Sequence, residues 1–356
     1  MRGSSLPYII VILALVGAII YLIGTSSIGG PIISNLSQGI TTAQIATTIF
    51  AYGNATNSVT TIGQANISGN STQLEYYALS LINQDRQKYG LQNVTLSSEP
   101  SAQQHSSSML YYDYFSHWDT YGMKPYMRYT LLGGTGGVSE NIAYQSSSKC
   151  NLLGCIGTID PQSALNAMEY SMMYNDSACC NNGHRDNILN PYHNQVSIGI
   201  AYNASKIYFS EDFINDYINW SNSPGFASGL VYLHGTLLDG YKIAQIEVSY
   251  DPQVQNMSVA QLDNTSEYGY GNAVAGVVSN PYSYFPGLDT IVANQYIIDK
   301  NNFIVSFEIS NLTRTYGAGE YTVEVWLEAQ NQSTFLGNTY TLFINQSDQA
   351  YVPENV

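Results

Sequence analysis

The chain has 356 residues, a formal charge of −15 at pH 7 and charged side chains at only 10% of positions. That length predicts more than one domain. The acidic balance excludes nucleic acid as a partner, because no basic patch exists to neutralise phosphates. Tyr, Asn, Ser, Thr and Gly fill the surface role that charges usually take. An exterior of that kind does not depend on carboxylates staying ionised, as an acidic habitat would favour.

In chain order, Leu6–Gly24 is apolar and uncharged, near the lower end of a membrane-spanning length. Arg2 precedes it and no Lys or Arg follows until Arg86, which places the N-terminus inside and the rest outside. Residues 1–24 therefore read as a membrane anchor, with a cleaved signal sequence as the competing reading. Residues 25–72 hold no charged residue and are rich in Ser, Thr, Asn and Gly, the composition of a stalk. Helices are predicted over Gln73–Tyr89, Glu99–Tyr114, with Pro100 in the first turn, and Pro161–Tyr174, capped by Asp160. A short helix over Gly183–Leu189 is stopped by Pro191. Val196–Tyr202 and Lys206–Phe213 alternate as a strand pair.

Asn219–Ser228 reads as a linker. Beyond it no helical periodicity is visible. Strands are predicted at Leu230–Leu238, Tyr241–Tyr250, Ala273–Val278, Thr290–Ile298, Phe303–Ile309, Tyr321–Glu328 and Thr339–Ile344. Short strands at this spacing point to an antiparallel β-sandwich over residues 228–350, of immunoglobulin-like type, with edge strands open to lateral self-association.

Cys150, Cys155, Cys179 and Cys180 are an even set close together. In an exterior chain they imply two disulfides with three possible connectivities. Links from the Cys150/Cys155 loop to the Cys179/Cys180 pair are favoured, because a vicinal bridge is strained. A four-cysteine metal site is the weaker reading, since adjacent cysteines are awkward tetrahedral partners. N-x-[ST] sequons recur from Asn35 to Asn345 and point to glycosylation, although an Asn-rich chain also generates sequons by chance.

The chemistry concentrates in ordered short segments: FSHWD (Phe115–Asp119), SENIA (Ser139–Ala143), GHRDNILNP (Gly183–Pro191) and YFSEDF (Tyr208–Phe213). With LINQDRQKYGL (Leu81–Leu91) before them, they resemble the CAP superfamily of cysteine-rich secretory, antigen 5 and pathogenesis-related proteins, in its secreted prokaryotic form. The resemblance covers about Thr72–Phe213 and has Ser139 where the family pattern has Gly. It implies an α+β chain: a CAP-type α/β/α sandwich over 73–218, followed by the all-β domain. It also implies a cleft of two histidines and acidic residues able to bind a divalent metal. His117, Glu140 and His184 match the family positions. The second family glutamate aligns with Met172, and Glu169, nearly one helical turn earlier, is the substitute candidate.

Two imidazoles with one or two carboxylates suit Zn2+ or another divalent cation, and they equally suit a metal-free hydrogen-bond network. His105 reads as a satisfied helix histidine, His193 as a turn residue and His234 as structural. Ser116 adjoins His117, but adjacency points the two side chains apart. The function predicted is a non-enzymatic cell-surface binding module for a lipid, glycan or protein, anchored in the membrane or else secreted. The alternative is an extracellular hydrolase, a peptidase or esterase, using His117, Glu140 and His184.

Overall fold

The computed structural model describes residues 71–147, 150–151, 154–155, 158–265, 267–347 and 349–353. The Leu6–Gly24 segment and the stalk lie outside them. Among the described residues no helix is long and apolar enough to cross a membrane.

The first part runs α1 (Ser71–Lys88), β1 (Thr95–Leu96), α2 (Ser101–Tyr112), α3 (Pro125–Leu131), β2 (Gly137–Ser146), β3 (Cys150–Asn151), β4 (Gly154–Cys155), α4 (Pro161–Tyr174), α5 (Ser177–Cys180), α6 (Gly183–Ile188), β5 (Gln195–Tyr202) and β6 (Lys206–Asn215). The central sheet has the order β1-β5-β6-β2. Alternation along each strand sends successive side chains to opposite faces. Val196, Ile198 and Ile200 of β5, with Ile207, Phe209 and Phe213 of β6, pack beneath Ala78 and Ile82 of α1 and Leu165, Met168 and Met172 of α4. The other face carries α2 and α3. Gly199 lets the Ala102 backbone of α2 lie against the sheet, where a Cβ would collide with it. The α/β/α layering expected from the sequence is present.

Helix ends follow local chemistry. Asp160 accepts the Ser163 N–H at 2.8 Å and caps α4. Asp113, in the left-handed region at φ 59°, ends α2. Pro100 sits at the N-cap of α2, which starts at Ser101, two residues after the predicted Glu99. Neither α3 nor β2 is legible in the pattern. Every residue of α3 is buried, so it has no polar face to create a period.

The second part runs β7 (Ile218–Ala227), β8 (Leu230–Leu237), β9 (Lys242–Pro252), α7 (Val259–Leu262), β10 (Asn272–Val278), β11 (Asp289–Val292), β12 (Gln295–Asp299), β13 (Asn302–Glu308), α8 (Ser310–Tyr316), β14 (Gly319–Glu328) and β15 (Thr334–Ile344). Two sheets, β11-β10-β9-β14-β15 and β12-β13-β8-β7, enclose one apolar core that includes Phe303, Val305, Phe307, Tyr321, Val323 and Val325. The predicted linker Asn219–Ser228 is corrected: most of it is the edge strand β7. Pro224 is tolerated because the β7–β8 register slips between Asn222 and Gly225, where no ladder bond is needed from it. The single strand predicted at Thr290–Ile298 is two strands in different sheets. β10 and β11 are parallel, a departure from a purely antiparallel sandwich that the crossing segment 279–288 permits. α7 and α8 interrupt a region read as helix-free.

Glu320, Thr322 and Glu324 of β14 are as buried as their apolar neighbours. Their face of the sheet lies against the first part of the chain. Phe343 of β15 packs with Tyr126, Met127 and Tyr129 around α3, and with Val138 and Ile214. Trp220 Nε1 and Asn338 Nδ2 both donate to the Thr135 carbonyl, at 2.9 and 2.8 Å.

Candidate functional site

Glu140 lies on the α2/α3 face of β2, opposite Asp212 of β6. Its side chain is fully buried, and one oxygen meets His117 Nδ1 at 2.8 Å. The other accepts from Arg128 Nη2 at 2.8 Å. Arg128 Nη1 also donates to the carbonyls of His117 and Met123, each at 2.9 Å. His105 Nε2 stands 3.9 Å from Glu140 and bonds to the Ser116 carbonyl at 2.8 Å. Beside them the Ser101 hydroxyl links Glu99 to Asp212. One hydroxyl proton cannot serve two carboxylates, so one carboxyl of this chain carries its own proton.

Burial, and then Asp212's charge, push Glu99 up to about 8. Burial, and then Glu140's charge, push Asp212 up to about 8 as well. Burial raises Glu140 to about 7 against the pull of Arg128. Burial and the nearby Arg128 cation push His117 down to about 3, so its ring is neutral.

The cleft is covered. Residues 253–265 and 267–271, between β9 and β10, lie over it as a strap. The Tyr268 hydroxyl accepts the Glu140 N–H at 2.8 Å, and its ring lies 4.8 Å from the His117 ring. The Ser116 hydroxyl is bound to the Thr265 carbonyl. Trp118 Nε1 donates to the Glu267 carbonyl at 3.1 Å, and the Phe115 N–H donates to Asp263 at 3.1 Å. Leu262 is buried among Met109, Tyr114, Ile142 and Tyr208. At the strap's base Lys124 Nζ meets Asp251 at 2.6 Å.

The other candidates lie elsewhere. Asn141, next in the strand, faces the α1/α4 side and donates to Glu211 at 3.2 Å. Glu169 is buried against Glu211 on that side, and burial and Glu211's charge hold its carboxyl protonated far above the ordinary range. His184 Nδ1 is 2.6 Å from Asp176, and its carbonyl accepts from Asn141 at 3.2 Å. The structure thus brings His117 and Glu140 together, while Glu169 and His184 each have other partners. Among the described residues, Asp176, Cys180 and His184 are the group within metal-ligating reach of one another. Cys180 is disulfide-bonded, which removes its thiolate.

The donor set at Glu140 does not fit a divalent cation either, because Arg128 already neutralises the carboxylate. His105 sits on α2 as expected but is only half satisfied: Nε2 meets the Ser116 carbonyl, while the buried Nδ1 has no hydrogen-bond partner among the described residues. His193, in the turn after Pro191, is a buried hydrogen-bonding corner, 2.7 Å from Asn215 and 2.8 Å from Asn187. Arg128, Glu99, Asp212 and Tyr268 escaped the sequence reading. Only Asp212 had a signal: two adjacent acids in the alternating strand YFSEDF place one carboxyl on each face.

Residues 79–214 match the CAP family, described as the cysteine-rich secretory protein family. Among solved structures, an extracellular protein containing an SCP domain from Bacillus anthracis str. Ames is similar at 23% identity over 41% of this chain and 41% of that chain, with TM-score 0.29. An outer surface protein from Borrelia burgdorferi is similar at 12% identity over 41% of this chain and 96% of that one, with TM-score 0.30. The CAP domain of Enterococcal PrgA is similar at 16% identity over 40% and 60%, with TM-score 0.28. The chain thus spans less than two thirds of the first and third of these. No curated protein matches it. With the FSH, SEN and GHR segments set around one α/β/α sheet, residues 79–214 of this chain are a CAP domain of the cysteine-rich secretory protein family.

Proposed function

We propose that the chain is a non-enzymatic interaction module displayed outside the cell. Residues 1–24 hold it in the membrane, residues 25–72 act as a stalk, and the β-sandwich that follows the CAP domain stiffens it. Disulfides between the Cys150/Cys155 hairpin and the Cys179/Cys180 turn, and glycosylation at some of the sequons, belong to the same reading of an exterior location. The observation that carries the non-enzymatic reading is the strap. Tyr268 covers His117 and Glu140, the Ser116 hydroxyl is tied to the Thr265 carbonyl, and Arg128 holds Glu140. A hydrolase needs a free nucleophile or water beside an unoccupied base.

The test is hydrolysis of chromogenic ester and peptide substrates by the full chain, by Tyr268→Ala, which uncovers the cleft, and by His117→Ala. Rates equal to the His117→Ala background are expected for all three. Turnover by the wild type that His117→Ala abolishes would establish the hydrolase instead.

A further inference from the structure

At the Gly137–Ser139 end of β2, a cleft of about 610 Å³ opens between the two parts of the chain. Its CAP wall is Ser139 and the turn 189–193, and its β wall is Trp326 with Thr334–Leu336. The volume lies within the roughly 300–1,000 Å³ of small-molecule sites.

The walls are rigid by construction. Arg86, fully buried in α1, donates to the carbonyls of Ile188, Asn190 and His193 at 2.7, 2.9 and 3.1 Å. That one guanidinium fixes the course of the whole turn. Tyr192, carried on the turn, stacks on Phe335 of β15 with ring centroids 4.1 Å apart and planes 3° from parallel. The Ser139 hydroxyl donates to Asn187 at 2.7 Å, so the polar floor is ordered too.

The lining selects a ligand class. Among the described residues, Asp186 is the only charged one that faces the cleft, and it is exposed. Among the described residues no lysine or arginine lines it, so a phosphate, sulfate or carboxylate would meet none of their cations there. The other polar groups are uncharged: the hydroxyls and amides of Ser139, Asn190, Asn215 and Thr334, and the polar atoms of the Tyr192, Tyr270, His193 and Trp326 rings. Neutral amides and hydroxyls beside one carboxylate and an aromatic wall match a ligand with many hydroxyls on one edge and C–H groups on its face. We infer that this junction cleft is a binding site for a neutral saccharide, which packs between Tyr192 of the CAP wall and Trp326 of the β wall and donates hydroxyl protons to Asp186.

The inference rests on the reading of the chain as a binding module, but it uses none of the residues of the His117 cleft. Failure of saccharide binding would therefore leave the hydrolysis result untouched, and the converse holds.

The test is tryptophan fluorescence and calorimetry on the full chain, in a detergent without a sugar headgroup. The probes are methyl α-mannoside, methyl β-glucoside and tri-N-acetylchitotriose, with tetramethylammonium and inorganic phosphate beside them. At least one saccharide is expected to bind and shift the emission. Asp186→Asn, at an exposed position that leaves folding intact, should weaken it by about tenfold, the loss of a charge-assisted hydrogen bond. Tyr192→Ala should weaken it also, whereas Tyr282→Ala, at a 97% exposed residue remote from the cleft, should not. The inference is overturned if no saccharide binds, if Asp186→Asn binds as the wild type does, or if only tetramethylammonium or phosphate binds.

Discussion

Glu140 is held by the two groups its burial requires. Its carboxylate neutralises Arg128, a side chain that is 7% exposed. Glu140→Ala therefore leaves a guanidinium in the interior with only the carbonyls of His117 and Met123 for company. Removing one partner of a buried pair costs about 3–5 kcal/mol. Urea unfolding should show a midpoint lowered accordingly, and Glu140→Gln, which keeps an acceptor, should lose less. An Ala variant as stable as the wild type would mean that Arg128 finds water or another carboxylate. The sequence made His117 and Glu140 visible because they stand in short segments of recognisable order. Arg128 was invisible because α3, all of it buried, has no pattern. Tyr268 was invisible because its partner is 128 positions earlier in the chain. His184 illustrates the opposite error: a motif position gives a residue but not its direction, and here its Nδ1 is taken by Asp176.

At the scale of elements, strict alternation was the dependable signal. In the predicted strand Phe303–Ile309, Phe303, Val305 and Phe307 alternate with other residues, and all three are 1% exposed or less. Composition was the undependable one. Asn219–Ser228 looks like a linker because Ser, Asn, Pro and Gly fill it, yet pairing with β8 turns it into the edge strand β7. An edge strand tolerates such residues because one side of it needs no ladder. The approach of α2 to the sheet depends on a missing side chain. A Cβ at Gly199 would run into the carbonyl of Ala102. Gly199→Ala should push α2 off β5 and cost about 1–3 kcal/mol. The check is the thermal midpoint against Gly183→Ala, where a Cβ would meet open space. Equal midpoints would show that the helix shifts without loss.

For the whole molecule, the buried acids set the pH response. Burial first of all raises Glu99 and Asp212 to about 8, and Glu211 and Glu320 to about 7. A carboxyl raised in the folded state stabilises it fully below its ordinary value, and that contribution is lost as pH rises through the folded value. Burial lowers His117 and His193 to about 3, with the opposite sign: their contribution is present above the ordinary histidine value near 6.5 and lost as pH falls toward 3. Between those limits the raised carboxyls outnumber the lowered histidines. Melting temperature should therefore be higher at pH 5 than at pH 8. The reverse order would mean that the interior carboxyls are ionised in the fold. The strap also ties folding to the order of synthesis. Asn215 closes the CAP sheet, but Tyr268, which covers Glu140, leaves the ribosome later. At about 5–20 residues per second that delay is about 3–10 s. For that interval the nascent CAP sheet carries its ionic cluster open to water and the slot for Leu262 empty, so the first part of the chain waits for the second before its own interior is finished.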